Sequence, residues 1–161
     1  MDEKYYGRVA RCHQYCEYLI AKICEALSKK AGDIVLRNIA RVISQDSLKH
    51  AAILSDIAEA YGVEEFDMQD CSRYSGAAYG LLGYLKEVES KIDSVSSDDE
   101  IRETLENLVD MLASIGMTDR TIITDGLSNR LKSYFVDLLI QIEDDEFRHL
   151  TLLREYFKYR I

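Results

Sequence analysis

The chain contains no proline in 161 residues, and it contains only 8 glycines. A proline inside a helix removes a backbone hydrogen bond and clashes with the preceding turn, and a glycine weakens a helix by about 1 kcal/mol relative to alanine. Helices can therefore run for many turns without a break. A hydrophobic content of 47% with 30% charged residues is typical of a globular chain. We predict an all-α fold, and the length suits one domain over residues 1–161.

Apolar residues recur at helical spacing in five segments of the chain. They predict helices over about 3–30, 33–62, 73–94, 98–115 and 128–160. Gly32 and Asp33 leave so short a connection that the first two helices must form an antiparallel hairpin.

The fourth helix is expected to begin at a capping box, in which Ser97 and Glu100 satisfy each other's backbone N–H groups. Residues 63–72 and 116–127 are predicted to be connections. Long antiparallel elements with one apolar stripe each favour a four-helix-type bundle with one extra or broken helix around residues 73–116.

Acidic residues outnumber basic ones by 29 to 20, which gives a formal charge of −9. Because neither half of the chain is basic, a protein that follows nucleic-acid phosphates is excluded. No stretch approaches the roughly 18 apolar residues of a membrane span, and the first residues lead us to expect no signal peptide. We expect a soluble cytoplasmic protein with no membrane partner. The four cysteines, among them Cys12, Cys16 and Cys24 on one stripe of the first helix, are expected to be reduced thiols.

The chain has three histidines, His13, His50 and His149, and two of them have similar neighbours. At a shift of 99 residues, the difference between positions 50 and 149, two segments align without a gap. The matching residues are Ile43, Asp46, Lys49, His50 and Leu54 in the first segment and Ile142, Asp145, Arg148, His149 and Leu153 in the second. Each of these two histidines has apolar residues one and two turns away on its own face, so each is predicted to point into the bundle.

Glu146 lies three residues before His149 and shares its face. A buried carboxylate costs several kcal/mol unless it is paired or bound to a cation. Imidazole and carboxylate at this spacing form a chelating pair that suits iron, manganese or zinc. The hairpin also places residues 13–17 opposite residues 45–50, at one level of the bundle. The candidate metal ligands are His50, Glu146 and His149, with Glu17 and Asp46 as weaker members, whereas His13 is expected to be structural.

Residues 146–149 read Glu-Phe-Arg-His, and residues 47–50 read Ser-Leu-Lys-His. This pattern resembles the ferritin-like superfamily of ferritins, rubrerythrins and carboxylate-bridged di-metal proteins. That family places a Glu on each of two helices and Glu-x-x-His on each of two others, around two metal ions. The second motif is complete here, and the first has Ser47 in place of Glu. The first-helix Glu corresponds to Gln14 or Glu17, and the remaining one to Glu89, Glu103 or Glu106.

The resemblance implies a metal-binding protein with iron or manganese as cofactor, and zinc as a further metal. If the protein is an enzyme, the resemblance implies a non-haem oxidoreductase, either a ferroxidase or an enzyme that reduces O₂ or peroxide. The alternative is a metal-free helical bundle that serves as an interaction or oligomerisation module, because Ser47 and the unplaced fourth Glu weaken the ligand set. In that case the candidate partner is a second copy of the chain, in a homo-oligomer such as a dimer, held by tyrosines and apolar residues of helices three and four.

Overall fold

The computed structural model describes residues 2–64, 66–126 and 129–158, apart from the side chains of residues 117–120 and 129–133. Its five α-helices are α1 (Glu3–Lys30), α2 (Ile34–Ala60), α3 (Gly76–Lys91), α4 (Asp98–Gly126) and α5 (Asn129–Lys158). Two short 3-10 helices cover Met68–Arg73 and Ile92–Ser94. No strand occurs within these ranges, so the predicted all-α class is confirmed. Within the same ranges, no helix combines the length and apolar composition that crossing a membrane requires.

Side-chain caps start α2 and α4 where the sequence places them. The Asp33 carboxylate accepts hydrogen bonds from the backbone N–H groups of Val35 and Leu36, at 2.8 and 3.0 Å. At the start of α4, the backbone N–H of Glu100 donates to the Ser97 hydroxyl at 3.2 Å, and the backbone N–H of Ser97 donates to the Glu100 carboxylate at 3.1 Å. These bonds satisfy N–H groups that the first helical turn cannot pair.

The predicted end of the fourth helix at residue 115 is wrong, because α4 continues to Gly126. A glycine inside a helix costs only about 1 kcal/mol, so Gly116 does not stop it. Ile123 is fully buried and continues the apolar stripe of α4 into the core. The segment that the sequence predicts as a connection, residues 116–127, is therefore helical up to residue 126.

The third helix begins later than predicted, at Gly76 instead of residue 73. Its N-cap is Ser75, whose hydroxyl accepts a hydrogen bond from the backbone N–H of Ala78 at 3.0 Å. Residues 68–73 before it form a separate 3-10 helix. The predicted loop over residues 63–72 is thus partly ordered by short-range hydrogen bonds.

The helix directions follow from contacts between their ends. The Asp98 carboxylate, at the start of α4, accepts hydrogen bonds from the backbone N–H groups of Gly32 and Asp33 at the turn between α1 and α2. The Tyr61 hydroxyl, at the end of α2, donates to the carbonyl of Gly126 at the end of α4. Helix α4 therefore runs parallel to α2 and antiparallel to α1. Helix α1 packs against α2, α3 and α4, and α5 packs against α2 and α4.

The buried apolar side chains form two clusters. One contains residues from α1 between Cys12 and Leu27, the first half of α2, α3, the first half of α4 and the end of α5. The other contains Val9, Leu54, Ile123 and Ile142 with their neighbours at the opposite end of the bundle. On α2 and α5, buried polar residues lie between the residues that belong to the two clusters, and α1 contributes His13 and Glu17 at the same level. A polar layer thus crosses the interior of the bundle.

The prediction that all four cysteines are reduced thiols is wrong for two of them. Cys12 on α1 forms a disulfide with Cys71 in the 3-10 helix before α3, and the two Cα atoms are 5.6 Å apart. Spacing along the sequence does not reveal this pair, because its members are 59 residues apart and meet only in the folded chain. Cys16 and Cys24 are buried thiols outside this disulfide. Burial, and then the charge of Glu17, raises the pKa of the Cys24 thiol far above its usual range.

Gly7→Ala is expected to lower the free energy of unfolding by about 1–3 kcal/mol, the usual cost of overpacking a core. A Cβ at position 7 would lie 2.7 Å from Cβ of Tyr61 and 2.7 Å from Cγ2 of Val63. Gly83→Ala on α3 is the matched control, since a Cβ there meets nothing within 4 Å. Urea denaturation should show the control unchanged or more stable, as alanine is the better helix former. Equal stability of the two variants would contradict the close packing at Gly7.

Candidate metal centre

The polar layer contains six almost fully buried side chains, each at most 2% exposed. They are His13 and Glu17 from α1, Ser47 and His50 from α2, and Glu146 and His149 from α5. The members from each helix are three or four residues apart, so they share one face of their helix. Three helices therefore direct imidazole, carboxylate and hydroxyl groups towards the same level of the interior.

Two carboxylates and one imidazole come close together in this layer. One donor atom each from His13, Glu17 and Glu146 lies within 4.8 Å of the other two. Oε1 of Glu17 is 3.8 Å from Nε2 of His13 and 3.4 Å from Nδ1 of His50. Among the described residues, neither oxygen of Glu17 has a hydrogen bond of normal geometry. A buried carboxylate without such bonds is costly, and a cation between the donors would remove that cost.

Glu17 and His50 change each other's ionisation. Burial alone raises the pKa of Glu17, but contact with His50, followed by the charge of His13, outweighs burial and lowers it. Burial lowers the pKa of His50, but contact with Glu17 and then with Asp145 outweighs burial and raises it. The carboxylate of Glu17 therefore stays charged in the interior. The layer favours positive charge near Glu17, whether on an imidazolium or on a metal ion.

Carboxylates of the opposite helix orient two of the histidines. Nε2 of His50 lies 3.1 Å from Oδ2 of Asp145, and Nε2 of His149 lies 2.8 Å from Oδ2 of Asp46. An ionised carboxylate only accepts hydrogen bonds, so each Nε2 carries the hydrogen and donates it. In His149 the Nδ1 atom is buried and has no hydrogen bond within the described part of the chain. Metal-binding histidines typically have one nitrogen held by a carboxylate in this way.

The two aspartates are balanced by two cations at the surface end of the layer. Nζ of Lys49 lies 2.5 Å from the Asp145 carboxylate and 3.3 Å from the Asp46 carboxylate. The Arg148 guanidinium lies 2.6 Å from Asp46 and 3.1 Å from Asp145. These four residues, the outer ion cluster, carry two positive and two negative charges. Burial by itself raises the pKa of each aspartate, and the bonds to its partners lower it overall.

The structure brings some of the predicted ligands together and separates others. Glu17 and Glu146 meet, and His50 adjoins them through Glu17. Asp46 and His149 instead bind each other. His13, which the sequence predicts to be structural, lies in the carboxylate cluster. Its position one turn before Glu17 on a buried face is the signal that could have identified it.

The sequence alone does not decide which residues occupy the other two glutamate positions of the motif. The structure shows where each candidate lies. The Gln14 side chain accepts a hydrogen bond from the Arg11 guanidinium at 2.6 Å, so Glu17 is the α1 residue in the layer. Glu89 pairs with Lys22 at the surface, at 2.6 Å. Glu103 is exposed and Glu106 is partly exposed, so the structure does not bring the three α3 and α4 candidates into the cluster.

No protein family, curated protein or solved structure matches this chain in the three comparisons made. A proposal about its function therefore depends on the geometry of the polar layer and on the order and direction of the helices.

Asp145→Asn is expected to lower the free energy of unfolding by about 1–3 kcal/mol, the usual cost of losing charge-assisted hydrogen bonds. The amide keeps the shape but removes the charge that Lys49 and His50 contact. Glu25→Gln on α1 is the control, because Glu25 pairs with Lys29 in solvent, and an exposed pair of this kind contributes little to stability. Thermal and urea unfolding measure both variants. A similar loss in the two would contradict the structural role of the outer ion cluster.

Proposed function

We propose that this chain is a ferritin-like metal-binding protein that holds divalent iron or manganese in its polar layer, with zinc as a further metal that the donors accept. The observation that carries the proposal is Glu17, a fully buried carboxylate without a hydrogen bond of normal geometry to any described residue. It lies beside a second buried carboxylate, that of Glu146. A buried carboxylate such as that of Glu17 is stabilised by a cation, and carboxylate with imidazole is a donor set for these metals.

The helix order supports the ferritin-like part of the proposal. Helices α1 and α2 are antiparallel, and α3 returns the chain to the end of the bundle at which α2 begins. Helices α4 and α5 then form a second antiparallel pair. Ferritin-like bundles have one long crossover connection between two helix pairs. Here α3, with the residues that flank it, makes that connection, and it allows α2 and α4 to run in the same direction.

The residues have distinct tasks in the proposed centre. Glu17 and Glu146 would neutralise the charge of the ion, and His13 would supply an imidazole nitrogen. Asp145 holds the His50 ring in place through Nε2, which leaves Nδ1 turned towards Glu17. The apolar clusters on both sides of the layer exclude bulk water and limit access to small molecules.

A bound iron or manganese ion would supply electron transfer to O₂ or peroxide, so the activity that accompanies this proposal is that of a non-haem oxidoreductase. The ferroxidase variant of this activity would use Fe²⁺ as substrate. In either case the residues of the chain bind the ion, balance its charge and keep the site dry.

Calorimetric titration of chelator-treated protein tests the proposal, with Fe²⁺ under anaerobic conditions and with Mn²⁺ and Zn²⁺ in parallel. The wild-type chain should bind at least one of these ions saturably. Glu17→Gln should weaken binding by more than about 100-fold, since loss of an outer-shell partner alone typically costs about 10–100-fold. Circular dichroism of each variant checks that the helices remain.

Glu25→Gln is the matched control for this titration, since it removes a carboxylate from the exposed face of the same helix. Its affinity should stay within about twofold of wild type. If the wild-type chain binds none of the three ions, or if Glu17→Gln binds as tightly as Glu25→Gln, the proposal is wrong.

The metal-free interaction module is the second candidate, and one surface feature favours it. Leu48 on α2 and Phe147 on α5 are 50% and 70% exposed. The pairs Asp46–His149 and His50–Asp145 place them at the same level of the two helices. A second copy of the chain is the partner proposed for this apolar surface. The expected surface on helices three and four is smaller, since Tyr79 is the one large apolar side chain exposed there among the described residues.

A further inference from the structure

We infer that the centre holds one divalent ion per chain instead of two, with His13 as a ligand. This inference rests on the proposed function, because it specifies the nuclearity and the ligands of the same site. It departs from the di-metal arrangement that the sequence resemblance implies. Three features carry it, namely the buried charge, the spacing of the donor atoms, and the residue at position 47.

The first feature is the negative charge available in the interior. Di-metal bundles of the ferritin-like kind use four glutamates, whose four negative charges balance two divalent ions. Among the side chains that the structure describes, Glu17 and Glu146 are the two carboxylates in the cluster, and their two charges equal that of one divalent ion. A second ion would leave a net charge of about +2 in a low-dielectric interior, which is strongly unfavourable.

The neighbouring aspartates do not supply the negative charge that a second ion would need. Asp46 and Asp145 are already balanced by Lys49 and Arg148, at distances between 2.5 and 3.3 Å. A second ion beside these aspartates would have to displace or repel the two cations. The outer ion cluster therefore closes the surface end of the layer and contributes no spare negative charge.

The second feature is the spacing of the donors. One atom each from His13, Glu17 and Glu146 lies within 4.8 Å of the other two. Ligands about 2.0–2.2 Å from a metal can be at most about 4.4 Å apart, so small side-chain movements would bring all three donors onto one ion. Two carboxylates and one imidazole leave further positions for an external ligand or for Nδ1 of His50.

The third feature is Ser47, which aligns with Glu146 when the two histidine segments are superimposed in sequence. Ser47 is fully buried and lies on the same face of α2 as His50, one turn away. A serine hydroxyl is neutral and shorter than a glutamate. Position 47 therefore supplies neither the charge nor the reach that a second ion needs.

Metal stoichiometry with Mn²⁺ tests the inference on the full chain. Metal-free protein is saturated with Mn²⁺ and passed through a desalting column. Mass spectrometry then counts the ions per chain, and electron paramagnetic resonance reports their coupling. We expect one ion per chain with the six-line spectrum of isolated Mn²⁺. His13→Ala should lower the affinity by more than about tenfold, whereas Glu25→Gln should leave it unchanged.

The outcomes separate this inference from the proposed function. Two ions per chain with a coupled spectrum would overturn the single-ion inference and leave the proposed metal-binding function standing. One ion with unchanged affinity in His13→Ala would overturn the role of His13. No bound ion of any tested metal would overturn the proposed function, and the inference with it.

Ser47→Glu provides a gain-of-function test, because it adds a buried carboxylate where the second motif has Glu146. It should raise the Mn²⁺ content towards two ions per chain and introduce a coupled spectrum. Gln45→Glu adds the same charge on the exposed face of α2 and should stay at one ion. A folded Ser47→Glu protein that still binds one ion would show that position 47 does not limit the count. The wild-type spectrum decides the inference even if this variant does not fold.

Discussion

The interior of this bundle is organised around two buried carboxylates, those of Glu17 and Glu146. Each would be costly in an apolar core by itself, and together they repel each other. Their presence explains why imidazoles gather at the same level and why the apolar core is split into two clusters. His50 links this layer to the surface, since one of its nitrogens faces Glu17 and the other faces Asp145. The metal proposal starts from Glu17, whose buried carboxylate has no hydrogen bond of normal geometry to a described residue.

The outer ion cluster is what keeps the centre closed. Helices α2 and α5 are antiparallel and carry the same Asp-x-x-(Lys or Arg)-His pattern, so each aspartate meets the histidine of the other helix. Lys49 and Arg148 bridge both aspartates and have side chains that are 42% and 52% exposed, so their charges remain partly hydrated. A repeated segment thus produces a reciprocal set of ion pairs, with two positive and two negative charges, at the surface end of the polar layer.

Local spacing in the sequence was enough to predict the helices, because apolar periodicity and caps such as Asp33 act within a few residues. It was also enough to predict which faces are buried, and hence that His50 and Glu146 point inwards. Local spacing could not predict contacts between segments that are distant in the sequence. The Cys12–Cys71 disulfide depends on where the turn before α3 lies in space. The inclusion of His13 in the cluster depends on the relative rotation of α1 and α5, which periodicity alone does not determine.

The end of α4 shows a related limit. Glycine is a weak helix breaker, so Gly116 was compatible with either a helix or a turn, and burial of Ile123 decided between them.

The most direct test of the metal centre is a crystal structure of the Mn²⁺-loaded chain with anomalous diffraction collected above the manganese edge. One anomalous peak in contact with both Glu17 and Glu146 is the predicted result. A polar layer without a peak, with ordered water bonded to the two carboxylates, would contradict it.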